Sequence, residues 1–514
     1  MLKGLNLMRK KNILLKTAAL AMAAAFTVVT PITAQASAEY GYSYNYDYWG
    51  DVQESPDLYN VCKVFTSSDL GLDVKLKNPQ GMYVHGDSIF ICDSGNNRIL
   101  ELKRSSAESL EYVRTIDSFN GGEGEATLNN PTDIAISEDG DIFIADQGNA
   151  RVLKLDKDLN YLMKFEKPDD KTLDPKLVFQ PSKLAIDTAE RVYCIAVGIN
   201  KGLVKYENDG TFSGFVGATP VTYDWTDYIW KKFASQEQRA KMVSFVPTEY
   251  DNIFMDYEGF IYACTGAVKA DDLRNGSADA VRKLNLMGNN ILVQNGDWNA
   301  YGDLYFGSGG GYEGPSYFTD ITVMDNDIYA CLDKNRGRVF GYDDQGHMVF
   351  AFGGNGNMDG YFRQPSAIER YGHELYVLDS LDCSITAFVP TEFGNLVYDA
   401  IEQFDQGNYE ASGASWENVM KQNGNYDLAY IGIGRALLRQ KRYKEAMDYF
   451  ELKYDAENYS KAYKQYRKEW VEDHIVIIVI VILALFLIPL SIGRVKRIRH
   501  EIDTADIFVA GRNR

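Results

Sequence analysis

At 514 residues, 45% of them hydrophobic, the chain is long enough for two or three domains and too apolar to be a disordered one. Acids outnumber bases 72 to 53, and the excess sits in the middle: without the five bases of residues 1–36, and the six bases and three acids of residues 475–514, a net charge of −27 remains. A surface that tracks phosphates needs the opposite sign, so nucleic acid is excluded as a partner.

The N-terminal end reads as a secretory leader. Lys3, Arg9, Lys10, Lys11 and Lys16 precede an uncharged stretch from Thr17 to Val29, and Ala34-Gln35-Ala36 supplies a small-residue cleavage site. Residues 1–36 are therefore expected to be a signal peptide. Residues 37–57, where Tyr40–Tyr48 alternates tyrosine with Gly, Ser, Asn and Asp, read as a Tyr-rich linker.

From residue 58 to about residue 395 the chain repeats itself. Asn78-Pro79 leads into GMYVHG and SIFICDSGNNRILEL; Asn130-Pro131 leads into DIAISEDG and DIFIADQGNARVLKLD, 52 residues further on. Weaker copies begin at Gln180-Pro181, Val246-Pro247, Phe318-Thr319 and Gln364-Pro365. Each is a short apolar strand, a turn rich in Gly, Asp or Asn, and a second strand rich in Ile, Tyr and Val. Six copies of a four-stranded unit predict an all-β six-bladed propeller. The run Asp93-Ser-Gly-Asn-Asn-Arg98 and its partner Asp146-Gln-Gly-Asn-Ala-Arg151 resemble the D-x-G-N-x-R core of NHL repeats, and Asp333 and Arg338 keep the same spacing. In this pattern Gly would permit the turn, and Asp and Arg would pair across it.

The sixth copy lacks a fourth strand, while Leu58–Phe65 precedes the first copy with no blade of its own. It is expected to complete the last blade and close the ring. Two insertions interrupt the period. Trp225–Phe245 has helical spacing, and the Gly-rich residues 300–317 read as a surface flap, since no lysine follows in a P-loop arrangement.

Beyond the propeller, Gly407-Asn-Tyr409-Glu-Ala411 recurs as Lys441-Arg-Tyr443-Lys-Glu-Ala446 at an offset of 34 residues, and Trp416 and Phe450 share that offset. Residues 396–470 thus resemble tetratricopeptide repeats, and so short an array is expected to pack on the propeller or on a partner. Ile475–Gly493 carries no charge, and nineteen helical residues reach about 28 Å, the thickness of a hydrocarbon core. Arg494, Lys496, Arg497 and Arg499 follow it, which puts the tail 494–514 in the cytoplasm and the rest outside. A single-pass cell-membrane protein with an exported ectodomain is the expected topology.

Six cysteines in an exported chain invite a disulfide framework, but Cys92, Cys194, Cys264 and Cys331 fall on the same strand of different blades, too far apart to bridge. If the closure holds, antiparallel pairing sets Cys383 opposite Thr66 and Cys62 opposite Ala387, which leaves these two apart as well. Propellers of this kind include copper- and zinc-linked amidating lyases and gluconolactonase-like hydrolases. His85, His347 and His373 are not placed to share a metal, and no nucleophile elbow or Ser/His/Asp set stands out, so no catalytic residue is assigned. The expected function is a membrane-anchored extracytoplasmic binding or scaffold module for an envelope or membrane protein partner or a carbohydrate-like ligand. The alternative is a metal-assisted lactonase- or lyase-type enzyme on a carbohydrate-like substrate.

The site expected for a ligand is the channel mouth. Two residues after each proline position stand Gly81, Asp133, Lys183, Glu249, Asp320 and Ala367. Asp133, Lys183, Glu249 and Asp320 are the candidate ligand-binding residues. No cofactor is assigned, but such carboxylates would favour a divalent cation such as Ca²⁺, or a cationic or polyhydroxyl ligand.

Overall fold

The computed structural model describes residues 43–122, 126–218, 249–307 and 313–512. The leader, the insertion Trp225–Phe245 and the start of the fourth copy lie outside the described residues. Two compact units are present: residues through Tyr398 together with Gln422–Leu428, and Asp399–Lys421 together with the residues from Ala429 onward.

The first unit is a six-bladed β-propeller. Its six antiparallel sheets have inner strands Gly81–His85, Pro131–Ile136, Pro181–Ile186, Asn252–Met255, Phe318–Val323 and Pro365–Tyr371. Each inner strand adjoins those of the neighbouring blades, and the last adjoins the first. The second strands, such as Ser88–Asp93 and Ile142–Asp146, read as unbroken apolar runs because both of their faces are buried. One face packs on the blade before and the other on the blade after. Ile91 and Leu100 meet Tyr376 and Leu378 on one side, while Phe90 and Cys92 meet Ile134 and Ile144 on the other. Between the fifth and sixth blades the layer is aromatic: Tyr59, Phe350, Phe352 and Phe388.

The ring closes as the sequence implies. Tyr59–Thr66 pairs antiparallel with Ser384–Pro390, so the chain's first full-length strand becomes the outer strand of its last blade. Thr66 stands opposite Ser384 rather than Cys383, and a bulge between Ala387 and Phe388 leaves Cys62 without a partner across the ladder. The expected register therefore holds from Val61 opposite Phe388 to Tyr59 opposite Pro390 and is off by one residue from Lys63 to Thr66, because a bulge inserts a residue that alternation alone does not reveal. All six cysteines are free thiols, four of them on second strands of different blades.

The D-x-G-N-x-R runs are structural. Asp93 accepts hydrogen bonds from the Lys77 amide, Asn96 Nδ2 and Arg98 Nε, each at 2.8 Å. Asp146 repeats this with the Asn129 amide, Asn149 and Arg151. The glycine works by close approach rather than by turn conformation. A Cβ on Gly148 would lie 2.5 Å from Asn129 Cγ, and one on Gly95 would lie 2.5 Å from the Lys77 carbonyl oxygen. The left-handed residue comes two positions later, at Asn97, Ala150, Gly337 and Cys383 (φ 56°, 55°, 61° and 52°). In the fifth blade the pairing changes: Arg338 turns to Asp303 at 2.8 Å, and Arg336 takes its place beside Asp333.

Two stretches expected to be peripheral are built into the fold. Within the Tyr-rich linker, Tyr44–Tyr46 and Val52–Glu54 form a hairpin that extends the fifth blade beyond Met348–Gly353. Of the Gly-rich stretch 300–317, residues 300–307 are no surface flap, since Ala300, Tyr301, Asp303 and Phe306 are buried. Asp303 joins the two stretches. It accepts from the hydroxyls of Tyr44 and Tyr46 and pairs with Arg336 and Arg338. The pattern missed this because tyrosine rings are buried here by a carboxylate partner, not by apolar periodicity.

In the second unit, Tyr409 and Tyr443 each begin a helix, Tyr409–Gln422 and Tyr443–Leu452. Trp416 and Phe450 are buried against the intervening helix, whose Gly432 and Gly434 leave room for the two rings. Ala456–Arg512 is one helix that contains the uncharged stretch and Pro489. It is the one helix among the described residues long and apolar enough to cross a membrane.

Deleting residues 58–66 is expected to leave an open sheet edge and an aggregating protein. A truncated chain that stays monodisperse in size-exclusion chromatography and melts as the wild type does would refute the closure. Gly148→Ala is expected to cost about 1–3 kcal/mol through overpacking against Asn129, read as a lower thermal midpoint; an unchanged midpoint would refute the close-approach role.

Candidate functional site

The inner strands place polar residues where six blades converge. In the second, third and fifth blades the residue two after the strand's first position is Asp133, Lys183 or Asp320, and it faces the penultimate residue of the core of the second strand. In the fourth blade that register belongs to Asn252, opposite Cys264. Glu249 lies outside the strand, partly buried, and accepts from the Gly198 amide at 3.1 Å. The count falls short because five residues separate Pro247 from this position, where two separate Pro131 from Asp133. Gly81 and Ala367 hold the same position in the first and last blades.

Asp133 and Asp320 are both buried and tie adjacent blades together. Asp133 Oδ2 accepts from the Leu184 amide of the third blade at 2.8 Å. Asp320 Oδ2 accepts from the Ile368 amide of the sixth blade at 2.7 Å, while its Oδ1 accepts from the Ile321 amide and from Asn252 Nδ2. Lys183 reaches across to the Gln80 carbonyl at 3.4 Å and lies within the field of both carboxylates. Burial opposes its charge, Asp133 and Asp320 favour it, and the net effect raises its pKa. Burial raises the pKa of Asp133 and brings that of Asp320 to about 7, in both cases against the pull of Lys183. Glu369, on the inner strand of the sixth blade, was not singled out by the sequence. Its pKa is pushed well above the ordinary carboxylate range by burial and then by Asp320 and Asp133. No motif marks it; only the ring geometry brings it to the others.

Of these residues, Asp133, Asp320 and Glu369 line a cavity of about 740 Å³. Asp133, Asn252 and Asp320 line it at one end, and the loops carrying Glu138, Asp187, Glu258 and Gly372 line the other. The cavity therefore extends from the expected ring toward the far end of the inner strands. Apolar side chains of the inner strands, among them Met82, Ile134, Ile186 and Ile253, make up the walls between.

The residues do not fit a resident divalent metal. Calcium takes six to eight oxygens, whereas Asp133 and Asp320 are committed to backbone amides. Among the described residues no group of three or more His, Cys, Asp or Glu could hold a metal ion. His347 pairs with Asp343 at 3.1 Å and His373 stacks on Tyr398, so neither points to shared ligation.

Asp320 links the cavity to pH. Its carboxyl ionises at the ordinary 3.8 when unfolded and at about 7 when folded, so the fold favours the protonated form. That contribution is complete below the unfolded value and is lost as pH rises through about 7. Thermal melts of the full chain in detergent between pH 5 and pH 8 should fall with rising pH, and Asp320→Asn should flatten that fall. An unchanged slope would refute the assignment.

The chain was compared with known proteins. The NHL repeat family model matches residues 128–155. No curated protein matches the chain. Solved structures similar to it include virginiamycin B lyase from Staphylococcus aureus, at 9% identity and TM-score 0.37, covering 64% of this chain and 99% of that one. A protein of unknown function from Bacteroides thetaiotaomicron has 10% identity and TM-score 0.39, covering 68% and 76%. The PQQ-bound aldose sugar dehydrogenase from Streptomyces coelicolor has 11% identity and TM-score 0.37, covering 66% and 100%. These likenesses transfer no activity. Residues 128–155 are an NHL repeat, set within a six-bladed β-propeller.

Proposed function

We propose that the chain is a membrane-anchored binding module whose propeller receives a small, carbohydrate-like ligand in the central cavity. The observation that carries this reading is the cavity itself. Its volume of about 740 Å³ falls within the range of small-ligand sites, and its walls combine apolar strand residues with a few convergent polar groups. Asp133, Asp320 and Glu369 line it together with Asn252, which stands in the place expected for Glu249. An excess of carboxylates along the cavity disfavours polyanions.

In this reading Ile475–Gly493 spans the cell membrane, the propeller is outside, and the basic tail is cytoplasmic. The length and composition of the helix support the anchor. Support for a protein partner comes from the helical unit, since paired helices of 34-residue period seldom stand alone. The second role is therefore a scaffold that docks an envelope or membrane protein through those helices.

A thermal-shift screen of the full chain in detergent with a panel of monosaccharides and their derivatives tests the cavity. A compound that raises the midpoint of the wild type should lose most of its effect in Asp133→Asn and Glu258→Gln, at opposite ends of the cavity. Glu249→Gln, outside the cavity, should retain it. A shift retained in both cavity variants would place the ligand elsewhere, and no shift with any compound would favour the scaffold role.

A further inference from the structure

Seven carboxylates line the central cavity against two guanidinium groups. Both guanidinium groups are engaged: Arg191 pairs with Asp187 at 2.6 Å and Arg370 with Asp325 at 2.5 Å. The ammonium of Lys183 is drawn to Asp133 and Asp320. Glu369 differs from the other inner carboxylates. It is 9% exposed and lines the cavity, yet no side chain among the described residues donates a hydrogen bond to it or forms an ion pair with it. Its local support is the following amide, of Arg370. The ionised form of such a buried carboxyl is costly unless a cation arrives.

We infer that the cavity takes an organic cation, with an ammonium or amidinium group seated on Glu369 and a carbon skeleton lying along the apolar inner strands. This rests on the reading of the cavity as a ligand site and narrows the ligand to an amine-bearing one, such as an amino sugar. A bare metal ion would leave the apolar walls of a 740 Å³ space unused and would find Asp133 and Asp320 already bonded to amides. A neutral ligand would supply nothing that favours the ionised form of Glu369.

The inference predicts proton release. Burial, and then the nearby Asp320 and Asp133, favour the protonated form of Glu369, with Arg370 and Tyr83 as the other titratable or charged groups acting on it. A bound cation favours the carboxylate. The carboxyl O–H bond therefore breaks, the electron pair stays on the oxygen, the proton goes to buffer and the cation remains protonated.

The test is calorimetry on the full chain in detergent near pH 7, with D-glucosamine, spermidine, agmatine, D-glucose and calcium chloride, in two buffers of different ionisation heat. Glucosamine should bind about tenfold or more tightly than glucose and release up to about one proton per cation. Glu369→Gln, which leaves all other charges in place, should lose both the preference and the proton release. Equal binding of glucose and glucosamine, abolished in Asp133→Asn, would overturn the cation while sparing the cavity. Glucosamine binding unchanged in Glu369→Gln would overturn the seat on that residue. Calcium binding that displaces glucosamine would indicate a metal site instead. No binding by glucosamine, spermidine or agmatine would overturn the inference; the cavity reading falls only if the monosaccharide screen fails as well. Should Glu369→Gln not fold, the wild-type contrast between glucosamine and glucose, with its proton count, decides alone.

Discussion

The propeller depends on satisfying one sheet edge. Each blade buries both faces of its second strand against its neighbours, so no blade can be left out without exposing two apolar layers. The last blade has only three strands of its own, and its fourth, Tyr59–Thr66, comes from the start of the ring. Closure therefore joins residues more than three hundred positions apart, through backbone hydrogen bonds that carry little sequence information. The aromatic layer of Tyr59, Phe350, Phe352 and Phe388 then seals the interface beside that joint.

Buried charge serves two purposes in this molecule. Asp93 and Asp146 each hold an arginine and two further donors, so their charge is neutralised and their role is to fix a turn. Asp303 does the same on a larger scale, holding two arginines and two tyrosines and binding the N-terminal hairpin to the fifth blade. The channel carboxylates are less completely balanced. Lys183 faces both Asp133 and Asp320, and Glu369 stands near them without a cation of its own. Incomplete compensation in a concave place is what separates a candidate binding site from a structural ion pair.

The motif arithmetic located most of this and missed particular residues for definable reasons. Asp133 and Lys183 were found because their blades keep the spacing from proline to inner strand, and Asp320 because it stands two residues after Phe318, which takes the proline's place at the start of its strand. Glu249 was assigned to the ring by the same count, but five residues rather than two separate Pro247 from the equivalent position, and Asn252 holds it. Glu369 has no spacing signature; it lines the cavity from the middle of the sixth blade's inner strand, two residues beyond the position counted from proline. Tyr44 and Tyr46 looked like linker because their burial depends on Asp303, which lies more than two hundred and fifty residues away.

The sequence by itself determined the class of fold, the number of blades, the need for a borrowed strand and the presence of one helix fit to cross a membrane. Each of these follows from local periodicity, and periodicity is written residue by residue. Tertiary structure alone decided the register of the closing strand, the route of the arginines in the fifth blade and the company of Glu369 in the channel. These depend on a bulge, on an insertion and on which side chains meet across the ring. Contacts of that kind are set by packing in three dimensions, and no spacing along the chain encodes them.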